Sequence, residues 1–211
     1  MAGCRSCEAR FDGASAGYLR VLWTVIAINA SMFVIEMGSG IAAGSMALQA
    51  DALDFLGDTA TYAISLYVIG RPASLRASAA LLKGLSLGAL GLWVFGATVY
   101  RVFVLGVPDG LVMGGVGLLA FAANAVSALL LLRYRDGDAN VRSVWLCSRN
   151  DALGNLAVVI AASGVLASGT AWPDLVVAGV MAGLFLTSAI SIVRQALGEL
   201  GVRPFAATMA E

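Results

Sequence analysis

Histidine is missing from this chain altogether. Its absence removes the commonest metal ligand and excludes both the zinc-protease pattern and any catalytic histidine dyad. Cysteine is scarce: Cys4, Cys7 and Cys147 are too few and too badly placed for a disulfide framework. Charge is thin as well, at 12% of residues, and thirteen basic and thirteen acidic side chains cancel. No long run of one sign points to nucleic acid or to an acidic partner. No nucleophile-and-base pair is visible, so the sequence does not read as an enzyme.

What the chain does have is apolar length. Of its 211 residues, 60% are hydrophobic, and the mean hydropathy is +0.88, too apolar for a water-soluble domain of this size. A helix needs roughly 20 mostly apolar residues to cross a hydrocarbon core about 30 Å thick. Six stretches qualify, near Leu19–Ile41, Ser45–Ile69, Ser78–Leu105, Leu111–Leu132, Val141–Ala167 and Leu175–Leu197. The breaks between them carry turn chemistry: Ala42-Ala43-Gly44, Arg71-Pro72, Pro108-Asp109-Gly110, Arg133 to Asp138, and Trp172-Pro173-Asp174. The first apolar run is longer than a signal-peptide core and is read as a retained helix.

The expected architecture is an all-α, six-transmembrane-helix bundle over 18–197. A 1–17 tail precedes it and a short 198–211 tail follows, with no C-terminal soluble domain. Arg5, Arg10, Arg20, Arg71, Arg76, Lys83, Arg133, Arg135, Arg142, Arg194 and Arg203 fall on one side of this map; only Arg101 lies near the other, and Arg149 lies within the fifth span. The positive-inside rule therefore places both termini in the cytoplasm. Gly38, Ser39 and Gly40, Gly84, Gly88 and Gly91, and Gly114, Gly115 and Gly117 suit close helix packing.

Acids inside a membrane are costly, about 2.5 to 3.5 kcal/mol each even on the lenient insertion scale, and usually mark a pathway or site. The second span holds Asp51, Asp54 and Asp58, which at about 100° per residue share one helix face. The fifth holds Asp151, with Cys147 one turn before it and Asn155 one turn after. Counting about 1.5 Å per residue, Asp54 and Asp58 lie roughly 14 to 20 Å in from one side, and Cys147 and Asp151 roughly 9 to 15 Å in from the other. Both pairs come out near the middle. Carboxylates with one thiolate make a four-ligand site for a transition-metal dication, whose charge offsets the cost of burying the anions. Oxygen ligands suit Mn, Fe, Co or Zn, and a thiolate biases toward softer ions such as Cd.

Gly44 to Asp58, with Asp54 and Asp58 four residues apart, resembles the second-helix signature of the cation diffusion facilitators. Asn140-Val141-Arg142 followed by Cys147 to Asn155 resembles their fifth-helix motif. Asn29, Glu36 and Asp174 also stand where that family places polar residues. The resemblance implies a divalent-metal transporter of the bacterial inner membrane, exporting ions in exchange for protons by alternating access, as a homodimer. Asp54, Asp58 and Asp151 are then ligands of the transported ion, with no permanently bound cofactor. Cys147 stands where the family usually has histidine; Cys147, Asn150 or Asn155 supplies the fourth ligand. With only a short tail after the sixth span, the family's cytoplasmic domain is not expected here.

Two other readings remain: a proton-coupled organic-cation exporter built on Glu36 and the second-span acids, with Phe33 and Phe55 as lining, and a membrane protein that binds metal without moving it. Glu36 is expected to line the outer half of the pathway or to hydrogen-bond a neighbouring helix. Arg149 is expected to pair with an acid or to snorkel. Trp145 and Trp172 are the better interfacial anchors among the four tryptophans. Cys4 and Cys7 form a lone Cys-x-x-Cys, read as part of a solvated tail, with delivery of a soft metal to the entrance as the alternative.

Overall fold

The computed structural model describes residues 15–68, 73–104, 106–136 and 139–200. Cys4 and Cys7, Arg71-Pro72, Gly137-Asp138 and nearly all of both tails lie outside those residues. Among the described residues, six long helices follow one another: α1 (Ala16–Ala43), α2 (Met46–Val68), α3 (Ala73–Phe103), α4 (Gly110–Leu131), α5 (Ala139–Ser168) and α6 (Trp172–Glu199). One short 3₁₀ turn, Leu132–Tyr134, extends α4. No strand occurs among the described residues.

The helix ends follow local chemistry. Ser15 caps α1 by accepting from the Tyr18 amide, and Asp109 caps α4 by accepting from the Leu111 and Val112 amides. Gly44 ends α1 at φ 68°, a left-handed conformation that glycine adopts without a Cβ clash. Helix α6 starts at Trp172 rather than at Leu175, because a proline in the first turn gives up an amide that has no helical partner there anyway. Asp174 therefore sits inside the first turn of α6 instead of in the loop.

Three of the connecting turns gather at one end of the bundle. The Asp109 amide donates to the Ala43 carbonyl, Arg101 lies against Gly44, and Asp174 reaches the start of α2. The start of α1 meets the end of α4 at the opposite end, where Tyr18 and Tyr134 stack edge to face. The helices thus run up and down in alternation, with a turn end and a termini end. Helix α3 packs chiefly on α6, α4 on α5, and α1 on α2. Gly84 faces Val193 and Ile192 at the α3–α6 contact, and Gly117 faces Val158 and Val159 at the α4–α5 contact. Gly38 and Gly115 have nothing close by, so closeness is confined to part of the glycine pattern.

Five of the helices are long and apolar enough to cross a membrane. The remaining one, α2, has 23 residues, about 35 Å at 1.5 Å per residue, and is set apart by its three aspartates. The bundle buries several polar side chains within its apolar core and turns large apolar ones outward. Asn29, Glu36, Asp51, Asn124, Asn155 and Asp174 are buried, while Trp23, Val34, Ile41, Leu82, Phe103, Leu111 and Ile160 are exposed. That arrangement suits a hydrocarbon solvent rather than water.

Candidate metal-transport site

The acids of α2 leave the helix toward two neighbours. Asp51, near the turn end, lies against Glu36 of α1, and Asp54 is within electrostatic range of both. Both Glu36 carboxyl oxygens and one Asp51 oxygen are buried without a hydrogen bond of regular geometry. One helical turn past Asp54, Asp58 meets Asp151 of α5 within hydrogen-bonding reach, with Asp54 and Cys147 close enough to add to the local negative potential. The two sequence-predicted pairs therefore converge. Asp58 is 12 residues into α2 and Asp151 is 12 residues into α5, each roughly 18 Å from its own starting end.

Carboxyl groups this close cannot all carry full charge without a proton or a cation between them. Carboxylates with a thiol beside them are donors of the kind that bind divalent transition metals. Among the described residues, no three Asp, Glu or Cys side chains are drawn together tightly enough to close on an ion. The side chains are neighbours, held short of coordination.

Candidate fourth ligands separate on burial. Asn150 is exposed, and its amide oxygen accepts from Arg149 at 3.1 Å. Asn155 is buried, with neither amide atom hydrogen-bonded. Cys147 is half-buried and packs against an apolar cluster at the termini end. Of the two expectations for Arg149, pairing with an acid is not what the structure shows: the side chain is exposed, its guanidinium lies over the Trp145 ring, 5.2 Å from the centroid, and its hydrogen bond goes to the Asn150 amide oxygen. Phe55 is buried with Met32 and Ala120, and Phe33 packs on that cluster, so these rings serve the core rather than line the acids.

Two features escaped the sequence reading. Tyr62, one turn past Asp58, is buried and donates its hydroxyl to the Asp58 carboxylate. The same oxygen lies 3.4 Å from the Ser148 hydroxyl and 3.5 Å from the Val144 carbonyl, both on α5. The spacing of four residues was the available signal. The second is a lock at the turn end. Asp174 accepts from the Ser45 hydroxyl at 2.6 Å and from the Met46 and Ala47 amides at 2.8 and 3.0 Å, while Ser45 Oγ in turn accepts from the Leu48 amide at 3.0 Å. Three otherwise orphaned amides at the start of α2 are satisfied in this way.

Comparison with known proteins gives this geometry a family. Residues 22–200 match the cation efflux transmembrane domain. The metal cation efflux system protein CzcD of Cupriavidus metallidurans is 28% identical over 182 residues, covering 81% of this chain and 57% of that protein. The zinc transporter ZitB of Escherichia coli is 25% identical over 194 residues, covering 86% of this chain and 62% of its own length. The chain thus spans about three-fifths of the length of these curated relatives. It is a multi-pass membrane protein and belongs to the cation efflux family.

Proposed function

We propose that this protein exports divalent transition-metal ions across the bacterial inner membrane in exchange for protons, with zinc as the leading substrate. The observation that carries the reading is the meeting of Asp58 and Asp151 across α2 and α5, with Asp54 and Cys147 at their sides. Asp54, Asp58 and Asp151 supply hard oxygens and Cys147 a soft sulfur, a donor set that suits zinc and its neighbours. An arriving dication draws these side chains the remaining distance inward and displaces their protons. Export then needs the site to open to the two membrane faces in turn. Glu36 and Asp51 extend the acid path from Asp54 toward the turn end, which is the exit side in this reading.

The relatives support the substrate class: one is named for metal cation efflux and the other for zinc transport. Family membership favours transport over enzymatic chemistry, and the burial of Phe33 and Phe55 in the apolar core removes the aromatic lining an organic-cation site would use. The test is metal uptake into proteoliposomes under an imposed pH gradient, with Zn, Cd, Fe, Mn and Co supplied in turn. Asp58→Asn and Asp151→Asn are expected to reduce flux to that of empty vesicles while the protein stays folded. Flux in the parent that ignores the pH gradient overturns proton coupling, and flux that survives both substitutions overturns the site.

A further inference from the structure

Tyr62 is the place where the ion site touches the packing that closes it. Its ring belongs to a buried apolar cluster with Leu22, Val25 and Ile26 of α1, Leu131 of α4 and Val144 of α5. That cluster lies between the acids and the termini end, because it is built from the first turns of α1 and α5 and the last turns of α2 and α4. Its hydroxyl points the other way, onto Asp58, with Ser148 and the Val144 carbonyl of α5 beside it. Asp58, Cys147 and Asp151 all lie within electrostatic range of this oxygen. A phenol in pure apolar packing leaves its O–H unsatisfied, at a cost comparable to a lost hydrogen bond. Here the polar tip is used on a ligand of the ion while the ring fills the seal.

We infer that Tyr62 is a positioning residue for the transported ion: its hydroxyl fixes the Asp58 carboxylate toward α5, and its ring couples that carboxylate to the apolar seal at the termini end. A partner that donates to a ligating carboxylate leaves its other lone pairs for the metal and holds the rotamer, and loss of such a partner commonly weakens metal binding about 10- to 100-fold. The ring adds a second consequence. When the ion pulls Asp58 inward, the same side chain shifts within the seal, so occupancy of the site is felt where the path is closed. Asp58 and Tyr62 are one turn apart on α2, and movement of one carries the other.

This inference rests on the metal-site reading above, and the experiment separates the two. Zinc and cadmium affinities are measured by calorimetry on detergent-purified protein, for the parent, Asp54→Ala, Tyr62→Phe and Tyr62→Ala, with thermal stability recorded for each. Tyr62→Phe keeps the ring and removes only the hydroxyl. It is expected to weaken metal binding about tenfold, equivalent to about 1.4 kcal/mol, and to raise KM for transport by a similar factor, with kcat and thermal stability little changed. Tyr62→Ala is expected to match that loss and, in addition, to let an imposed pH gradient decay faster in metal-free proteoliposomes, because the seal has lost its ring. Affinity in Tyr62→Phe equal to or tighter than the parent's overturns the positioning role, and an unchanged gradient in folded Tyr62→Ala overturns the link to the seal. Parent protein that binds no metal overturns the metal site itself, and this inference with it.

Discussion

In the proposed site, Cys147 is the residue on which metal preference turns. With no histidine anywhere, the proposed site takes as its fourth ligand a thiol at the same spacing from Asp151 that separates Asp54 from Asp58. A thiolate binds soft ions better than hard ones, whereas the three carboxylates discriminate little between them. Cys147→Ser keeps the size and removes the sulfur. It is expected to lower cadmium and zinc affinity about tenfold or more and to leave manganese affinity nearly unchanged, as competition between the three ions in an equilibrium binding assay would show. Equal losses for all three would mean that Cys147 shapes the site without ligating. The thiol, the acids and their spacing were legible in the sequence, because side-chain chemistry and helical periodicity are local properties. The hydroxyl of Tyr62 on Asp58 was not: a tyrosine in an apolar span reads as packing until the fold shows which way its oxygen faces. The ring of Trp145 beneath Arg149 was not legible either, since it depends on which side chains the neighbouring turn presents.

At the scale of elements, the decisive one is α2, which carries three aspartates and lacks a capping side chain of its own beyond Ser45. Asp174 supplies the cap from α6. Its carboxylate faces the positive end of the α2 dipole and satisfies buried donors that no solvent can reach. Asp174→Ala strands the Ser45 hydroxyl and the Met46 and Ala47 amides together. A loss of about 3 kcal/mol in stability is expected, from charge-assisted bonds worth about 1.5 to 3 kcal/mol each and only partly replaced by water. Thermal unfolding in detergent measures that loss. Flux should fall as well, since the register of α2 sets the depth of Asp54 and Asp58, and Asp174→Asn, which keeps one acceptor, should recover part of both. The existence and order of the six helices followed from apolar length and from the Gly44 and Pro108 turns. The lock itself joins residues 129 positions apart, and no local pattern announces a pairing of that range. The early start of α6 at Trp172 was hidden for a simpler reason: a proline reads as a break, although the first turn of a helix tolerates it.

The molecule as a whole has two unlike ends, and direction of transport depends on which of them faces the cytoplasm. The turn end gathers three connections and Arg101, with Glu36 and Asp51 leading inward from it. On the sequence map eleven of the thirteen basic residues are expected on the side of the termini, and the apolar cluster around Tyr62, the proposed seal, lies toward that end. Basic residues flanking spans are retained on the cytoplasmic side, so the termini end is expected to face inward and the Glu36–Asp51 end outward. Single cysteines placed at the exposed positions Val107 and Asp136, in a chain whose three native cysteines are replaced by serine, test this in intact cells. A membrane-impermeant maleimide should label Val107→Cys directly and Asp136→Cys only after the membrane is opened. In that orientation the seal closes the site from the cytoplasm and the acid path opens it to the outside, so the arrangement resembles a stage after ion capture. The reverse labelling pattern would put the seal on the outer face and turn the same acid ladder into a path for uptake.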